Sequence, residues 1–278
     1  MRIARGISVT NTSKPVGISY DADAAAFFTA ASITDNTQKS AVNTLVLSLK
    51  SANIWTKMKA IYPVVGGVAS AHAVNLKQPG TFNLSFTTGW THSSTGMTPN
   101  GATYADTFLT PSTALLLNNN HISNYVRTNN SNGDDVGSLY FTATYSYSLF
   151  HDNRTLVSGV AKILSYDQSS DALRIESNET DARGHLITSR ISSTSHKILK
   201  NGILRATQTT APSAFYNGLP LNPIILGGVR VYNGTSTSYG YSTKECAFAS
   251  IGEGLSDAEA LSFYNAVQTF QTTLGRQV

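Results

Sequence analysis

Residues 197–205 read Lys-Ile-Leu-Lys-Asn-Gly-Ile-Leu-Arg, and this stretch marks the chain as a β protein. Asn201-Gly202 favours a two-residue hairpin turn, because both residue types tolerate positive φ. Such a turn would fold two apolar strand ends onto each other. Asn-Gly occurs four more times, at 100–101, 132–133, 217–218 and 233–234. Many strands with frequent turns, and no helical repeat between them, predict an antiparallel β-sandwich instead of a parallel βαβ sheet.

Alternation of apolar and polar residues extends this prediction over about residues 64–255. Residues 82–87 and 141–149 both alternate with a period of two, which is typical of half-buried strands. In the second stretch Tyr145 and Tyr147 fall on the apolar side, so we expect them in the core. Charged residues make up only 13% of the chain, about half the usual share, and small polar residues replace them.

The region before the sandwich, residues 21–62, has a helical pattern. Asp21 and Asp23 precede an alanine-rich run, and acidic residues favour a helix start. A 3.6-residue period follows, carried by Val42, Leu45, Val46 and Leu49. Asn53 would cap a further short helix carrying Trp55, Met58 and Ile61, and Pro63 would end it. The pattern thus predicts two or three helices.

A last helix follows the sandwich. Ser256 and Glu259 form a capping box, an apolar stripe includes Phe263 and Val267, and Gly275 is a suitable stop. Taken together, the chain divides into an N-terminal arm (1–20), a helical segment (21–63), and a sandwich with its C-terminal helix (64–278).

Charge and hydropathy exclude several classes of protein. The net charge is +4 without a concentrated basic face, so nucleic-acid binding is not expected. The longest apolar runs are too short for a membrane span. The first residues lack the apolar core of a secretory signal, and Cys246 is the single cysteine, so we expect synthesis in a reducing cytoplasm.

No catalytic motif emerges from the sequence. The nucleotide-binding GxxxxGK[ST] and the hydrolase GxSxG are absent, and the six histidines lack zinc-site spacing. Glu176, Glu179 and Asp181 lie close together, but their spacing does not place them on one face of a strand. We therefore interpret them as a solvated acidic turn and not as the carboxylate pair of a glycosidase.

Two groups of residues are candidates for binding. Asn130, Asn132, Asp134 and Asp135 supply oxygen atoms from one loop, which suits calcium, but Asn-Gly-Asp-Asp is also an ordinary hairpin tip, and we favour the hairpin. Aromatic residues in predicted loops could stack on a sugar while their neighbours bond its hydroxyls. They are Trp90, Tyr232, Tyr239 and Tyr241. The alternative for each is that it covers the sandwich edge.

Several phrases, in this order, resemble one family of proteins. They are AVNTLVLSLKSANIWTKMKAIYPVVGG (41–67), NLKQPGTFNLSF (75–86), GMTPNGATYADT (96–107), SSTSHKILKNGILRA (192–206), NPIILGGVRVYNG (222–234) and AFASIGEGLSDAEALSFYNAVQTFQTTLG (247–275). Together they resemble tailed-phage virion proteins that carry a concanavalin A-like, laminin-G-like sandwich.

The resemblance implies a mainly β, antiparallel concanavalin A-like jelly roll with helices before and after it. It also implies a non-catalytic structural protein of the virion, in a fibre, tail part or capsid decoration, that contacts host-surface glycans. Partners would be other virion proteins, reached through residues 1–20, and further copies of the chain. The sandwich glycosidases of that superfamily carry a Glu-x-Asp-x-(x)-Glu strand, which is absent here. The alternatives are a polysaccharide-degrading enzyme on the same fold and a soluble carbohydrate-binding module.

Overall fold

Three layers make up the protein: a helical layer, a first β-sheet and a second β-sheet. A computed structural model describes residues 19–169 and 174–278. The helices are α1 (Ala22–Ala30), α2 (Asn36–Ser51), α3 (Ala69–His72), α4 (Pro111–Ala114) and α5 (Asp257–Thr273). Within these described ranges, no helix is long and apolar enough to cross a membrane.

The strands are short and numerous. In chain order they are β1 (Met58–Tyr62), β2 (Ser85–Phe86), β3 (Thr91–His92), β4 (Met97–Thr98), β5 (Ala105–Asp106), β6 (Asn120–Val126), β7 (Val136–Phe141), β8 (Ser146–Val157), β9 (Val160–Asp167), β10 (Ile175–Asn178), β11 (Gly184–Ser192), β12 (Ser195–Lys200), β13 (Ile203–Gln208), β14 (Ile225–Leu226), β15 (Gly228–Tyr232), β16 (Thr237–Tyr241) and β17 (Cys246–Gly252).

These strands form two sheets. Sheet A has the order β13-β12-β11-β6-β17-β4-β3, with β1 also paired to β17. Sheet B has the order β10-β9-β8-β7-β14-β5-β2, and β15 and β16 are attached to it through β7. Among the described strands, the pairings are antiparallel except that between β7 and β15. The structure thus confirms the predicted antiparallel sandwich with helices at both ends.

The hairpin of residues 197–205 is confirmed in detail. Strands β12 and β13 pair with Lys200 opposite Ile203, and Asn201 and Gly202 form the two-residue turn. Both turn residues have positive φ, 51° for Asn201 and 76° for Gly202. This is the geometry for which Asn-Gly is selected, because it matches the right-handed twist of the strands.

The predicted short helix after Asn53 is not formed, so this prediction is wrong. Asn53 has a φ of 57° and its N–H bonds the carbonyl of Lys50, so it ends α2 in the left-handed conformation instead of starting a new helix. A single 3₁₀ turn, Trp55–Lys57, follows it. Met58 and Ile61 then lie in β1, where they pair with β17 near the end of the chain. Pairing with a distant strand has overridden the local helical pattern.

The predicted strand over 141–149 is two strands. Phe141 ends β7, Ser146 begins β8, and the N–H of Thr142 bonds the carbonyl of Tyr145 across the turn between them. Tyr145 and Tyr147 are half-buried, so their predicted place in the core is also wrong. Similarly, only Ser85–Phe86 of the predicted strand over 82–87 is extended and paired.

Two apolar cores hold the layers together. One lies between the helices and sheet A, where Phe263, Val267 and Phe270 of α5 are at most 1% exposed. Burying each of these side chains is worth about 1.5–3 kcal/mol. The other core lies between the two sheets. The capping box of Ser256 and Glu259 is formed as predicted and fixes the start of α5. The helices therefore share a core with the sandwich.

Arg276 anchors the end of the chain inside the molecule. Its guanidinium is 1% exposed. It donates hydrogen bonds to the carbonyls of Pro63, Val64 and Ala247, and to Gln271 Oε1. Burial lowers the pKa of Arg276 to about 9. Three backbone carbonyls from two segments thus depend on one side chain for their hydrogen bonds.

Candidate functional site

A row of tyrosines crosses three neighbouring strands of sheet B. Tyr140 on β7 lies in register with Tyr147 on β8 and with Tyr232 on β15. Residues directly opposite each other point to the same face of a sheet, so the pairing brings the three side chains together. Tyr145, from the turn between β7 and β8, joins the same row.

The rings of this row form a first stack. Its centroid separations are 4.7 Å for Tyr232–Tyr140, 6.0 Å for Tyr140–Tyr145 and 4.6 Å for Tyr145–Tyr147. The angles between ring planes are 26°, 9° and 14°, respectively. The backbone of Gly218 covers the Tyr147 end, since a Cβ there would lie 2.4 Å from the ring. The ring of Tyr232 forms the other end.

A second stack lies beside the first. The rings of Tyr104 and Tyr239 are 4.6 Å apart, and those of Tyr239 and Tyr241 are 5.8 Å apart. Arg230, which pairs with Tyr239 across the β15–β16 hairpin, has its guanidinium 5.6 Å from the Tyr104 ring centroid. In that hairpin Tyr232, Arg230, Tyr239 and Tyr241 share one face. The two stacks therefore form one surface, here called the tyrosine face. Its members are Tyr104, Tyr140, Tyr145, Tyr147, Tyr232, Tyr239 and Tyr241.

Two phenol groups of this face, those of Tyr140 and Tyr239, are held in their neutral form. Burial, together with the hydrogen bond to Tyr104, raises the pKa of Tyr239. Desolvation and the neighbouring Tyr145 likewise raise the pKa of Tyr140. Neutral phenols both donate and accept hydrogen bonds. Inner rings of a stack have both faces covered, so the face offers a ligand its hydroxyl edges and the outer rings of Tyr232 and Tyr241.

Three of the four aromatic residues singled out in the sequence belong to this face, and the fourth does not. Trp90 is half-buried, 5.4 Å from the ring of Phe86 and against the backbone of Gly227. Among the described residues it has no ring contact with a tyrosine of the face. Tyr104, Tyr140, Tyr145 and Tyr147 were not predicted as members of a binding surface. The tyrosine-rich stretch at 140–147 was a signal for the last three, and nothing in the sequence marked Tyr104.

Of the four residues proposed for calcium, three have other contacts or face solvent. Asn130 donates to Thr243, Asn132 is exposed, and Asp135 pairs with Lys244 at 2.9 Å. The Lys244 ammonium also bonds the carbonyls of Asn132 and Gly133, so a side-chain cation occupies oxygen atoms that a metal would need. Across residues 19–169 and 174–278, no three acidic, histidine or cysteine side chains gather as a metal site.

The acidic residues predicted to form one turn lie partly in a strand: Glu176 is in β10, where it pairs with Leu164 of β9, and Glu179 and Asp181 follow the strand. Hydrogen bonds from Lys162 and Arg174 lower the pKa of Glu176, and Arg183 lowers that of Asp181. Glu179 pairs with Arg205. A glycosidase acid needs a raised pKa. Each of these carboxylates has its own cation, so the turn lacks that arrangement.

A groove lies in the helical layer, away from the tyrosine face. It has a volume of about 590 Å³ and runs between α2 and α5, lined by Leu47, Ser48, Ser51, Ala52, Ser262, Asn265, Ala266 and Thr269. Five of its eight lining residues carry a hydroxyl or an amide, and none of the eight has an ionisable side chain. The groove therefore has no acid, base or nucleophilic thiol for catalysis.

No family model matches the chain, and no curated protein matches it. Solved structures do. The binding domain of botulinum neurotoxin DC, in complex with rat synaptotagmin II, matches with a TM-score of 0.50 and 9% identity over 77% of this chain and 52% of that chain. Domain 4 of AbnA, an extracellular arabinanase from Geobacillus stearothermophilus, in complex with arabinotriose, has a TM-score of 0.41 and 12% identity, covering 74% of this chain and 98% of that one.

The CBM40 of the Ruminococcus gnavus IT-sialidase has a TM-score of 0.41 and 15% identity, covering 66% of this chain and 98% of that one. The chain spans about half the length of the toxin fragment it matches. The similarity to the toxin binding domain supports the two-sheet β-sandwich and shows the fold alone.

Proposed function

We propose that this protein is a non-hydrolytic glycan-binding β-sandwich that contacts its ligand through the tyrosine face. The observation that carries the proposal is the alignment of tyrosines from β7, β8, β15 and β16 on one surface. A sugar ring has an apolar C–H face and a rim of hydroxyls. The outer rings of Tyr232 and Tyr241 suit the first, and the phenol edges between them suit the second.

Preorganisation favours binding at this face. Tyrosine has few rotatable bonds, and these rings are further held by their stacked neighbours, so ordering them on binding costs little entropy. Arg230 is held by Asp106 at 2.5 Å and supports the second stack. Because its charge is already paired, the face as a whole favours neutral, hydroxyl-rich ligands over anionic ones.

A glycan array of bacterial capsular and lipopolysaccharide glycans tests this function. We expect wild-type protein to bind a subset of the array. Tyr232→Ala and Tyr241→Ala should each weaken that binding about 5–30-fold, which corresponds to 1–2 kcal/mol. Tyr264→Ala is the matched control, since this tyrosine packs on the helical layer, and its affinity should stay at the wild-type value.

The tyrosine face would not be the binding site if the Tyr264 variant lost binding, or if both face variants bound as well as wild type. A reducing-sugar assay on the bound glycans distinguishes the alternative function. Release of reducing ends by wild-type protein would make it a polysaccharide-degrading enzyme.

We further propose that the protein is a structural component of a phage virion, made in the host cytoplasm and assembled as a homo-oligomer. It rests on the sequence resemblance. Residues 1–20 would anchor the chain to other virion proteins, since they include Ile3, Ile7, Val9, Val16 and Ile18 but no regular period. Residues 1–18 lie outside the described residues. Tyr20, at the base of the arm, packs edge-to-face on Phe28 of α1, with 5.1 Å between centroids.

Deleting residues 1–18 tests the anchor. The shortened chain should keep its fold, because the helical core begins at Tyr20, but it should no longer enter the particle. Quantitative mass spectrometry of purified particles measures its copy number. Incorporation at the wild-type copy number would contradict the anchor, and absence of the full-length protein from particles would contradict the virion role.

A further inference from the structure

A buried ion pair joins the two sheets at one end of the sandwich. Asp135 directly precedes β7 of sheet B, and Lys244 lies two residues before β17 of sheet A. Nζ of Lys244 is 2.9 Å from Oδ1 of Asp135, and their side chains are 0% and 2% exposed. The two residues are 109 positions apart in the chain.

Hydrogen bonds hold both partners in place. Oδ1 of Asp135 accepts a bond of 2.7 Å from the Ser242 hydroxyl, and Oδ2 accepts one of 2.7 Å from the backbone N–H of Asn153. The Lys244 ammonium donates to the carbonyls of Asn132 at 2.9 Å and Gly133 at 3.1 Å. The carboxyl carbon is thus polarised by donors on both oxygens, while the amine is fixed beside it.

A second buried carboxyl group adjoins the pair. Asp152 lies next to Asp135 across the β7–β8 ladder, is 2% exposed, and accepts a hydrogen bond from the backbone N–H of Asp135. Its Oδ1 has no hydrogen-bond partner among the described residues. Burial and the neighbouring carboxylates of Asp134 and Asp135 raise its pKa well above the ordinary value, which favours the protonated acid.

We propose that Lys244 and Asp135 condense to form an intramolecular amide bond that links the two sheets covalently. The ammonium first gives a proton to the Asp135 carboxylate, which leaves a neutral amine and a neutral acid. Nζ then attacks Cγ, and the new N–C bond forms a tetrahedral centre. The C–OH bond breaks, and the hydroxyl leaves as water with the second amine proton, relayed through Asp152. An ammonium and a carboxylate become one amide and one water, without oxidant or co-reactant.

The surroundings favour this step. Water is nearly excluded, since the adjoining cavity has a volume of about 10 Å³, room for roughly one water molecule. Replacing a buried ion pair by a neutral amide also removes two charges from a low-dielectric interior, where they are costly. The resulting bond would close a long loop and reduce the entropy of the unfolded chain.

Intact-mass spectrometry of the denatured full-length chain tests the proposal. Wild-type protein should weigh less than its sequence by one water molecule. A tryptic digest should contain one branched peptide joining residues 128–154 to residues 231–276, since trypsin does not cleave at an acylated lysine. Wild-type protein at its full sequence mass, even after prolonged incubation at growth temperature, would show an ordinary ion pair and overturn the proposal.

Lys244→Arg is the matched control, because it keeps the charge but has no amine that can form this bond. We expect it to have its full sequence mass and a lower melting temperature than wild type. Water loss in both proteins would place the reaction elsewhere, for instance at the Asp134-Asp135 step by succinimide formation, and overturn the proposal. Should the arginine variant not fold, the branched wild-type peptide alone decides. Asp152→Asn should slow the reaction and leave a mixture of masses, and complete reaction in this variant would refute the role of Asp152.

Discussion

Acid should destabilise this protein through histidines buried in their neutral form, and His185 shows why. Its ring lies beneath α5, 5.1 Å from Phe263 and 5.9 Å from Phe248. It is fully buried, and Nε2 lies 3.2 Å from the Ser123 hydroxyl. Burial lowers the pKa of His185 to about 3. The folded state therefore cannot take up the proton that the unfolded chain binds below about pH 6.5.

The magnitude follows from this difference in proton uptake. Because the folded pKa lies below the unfolded one, the stabilisation is complete above about pH 6.5 and is lost as the pH falls towards 3. At about pH 5 the loss is about 2 kcal/mol for His185. His121, with a pKa of about 4, and His151, with a pKa of about 3, each add a similar amount. The raised pKa of Asp152 acts in the opposite direction.

These three histidines alone account for a loss of about 6 kcal/mol before the opposing effect of Asp152, a large part of the roughly 5–15 kcal/mol typical of a domain. Urea unfolding from about pH 8 to about pH 5 measures it. His185→Gln should flatten the slope of unfolding free energy against pH by about 1.4 kcal/mol per pH unit below pH 6. Ser123→Ala is the control, since it removes the hydrogen bond to His185 but not the titrating group. It should lower stability without changing the slope. A wild-type stability that is constant over this range, or an unchanged slope in His185→Gln, would refute the reasoning.

Three further predictions concern stability and are measured by urea unfolding. Phe263→Ala should lower the free energy of unfolding by about 3–5 kcal/mol, because it leaves a cavity in the core under α5. Leu261→Ala, on the exposed side of α5, should lower it by less than about 0.5 kcal/mol. Equal losses would mean that α5 is not part of the core. Arg276→Ala should cost about 3 kcal/mol or more, because three backbone carbonyls lose their donor, and a neutral result would contradict that anchor. Gly202→Ala should destabilise the protein more than Gly159→Ala. Both glycines have positive φ, but only a Cβ at Gly202 would meet a neighbour, the Tyr264 ring at 2.7 Å. A larger loss of stability in Gly159→Ala would contradict this contact.

Features specified by adjacent residues could be predicted from the sequence. The Asn201-Gly202 turn and the capping box of Ser256 depend on the conformational preferences of a few neighbours, and both are formed as expected. The spacing of apolar residues changes at the two ends of the sandwich, because helices and strands bury their side chains with different periods. This change predicted the order of helices, sheets and terminal helix, which is confirmed.

Features that depend on pairing between distant strands could not be predicted from the sequence. Met58 is in a strand because it faces Gly252, and no local pattern encodes that partner. The turn at 142–145 lacks glycine and proline, so nothing in the sequence distinguishes it from the strands on either side.

The tyrosine face was only partly visible for the same reason. Tyr232, Tyr239 and Tyr241 attracted attention as loop aromatics, but the register of β7, β8 and β15 brings Tyr140 and Tyr147 to them. The pairing of Lys244 with Asp135 likewise depends on chain segments far apart in sequence. The alternation of residues 141–149 correctly predicted which side chains share a face within each strand. It did not predict that the strand ends, with Tyr145 and Tyr147, are partly exposed to solvent.

The central claim is that the tyrosine face is the binding surface, and an NMR titration of protein with isotope-labelled tyrosine rings tests it most directly. The titrant is the glycan selected on the array. We predict that the ring signals of Tyr232 and Tyr241 shift in proportion to occupancy, while those of Tyr20 and Tyr264 in the helical layer stay in place. Saturating binding that shifts only Tyr20 or Tyr264, or shifts no tyrosine signal, would contradict the claim.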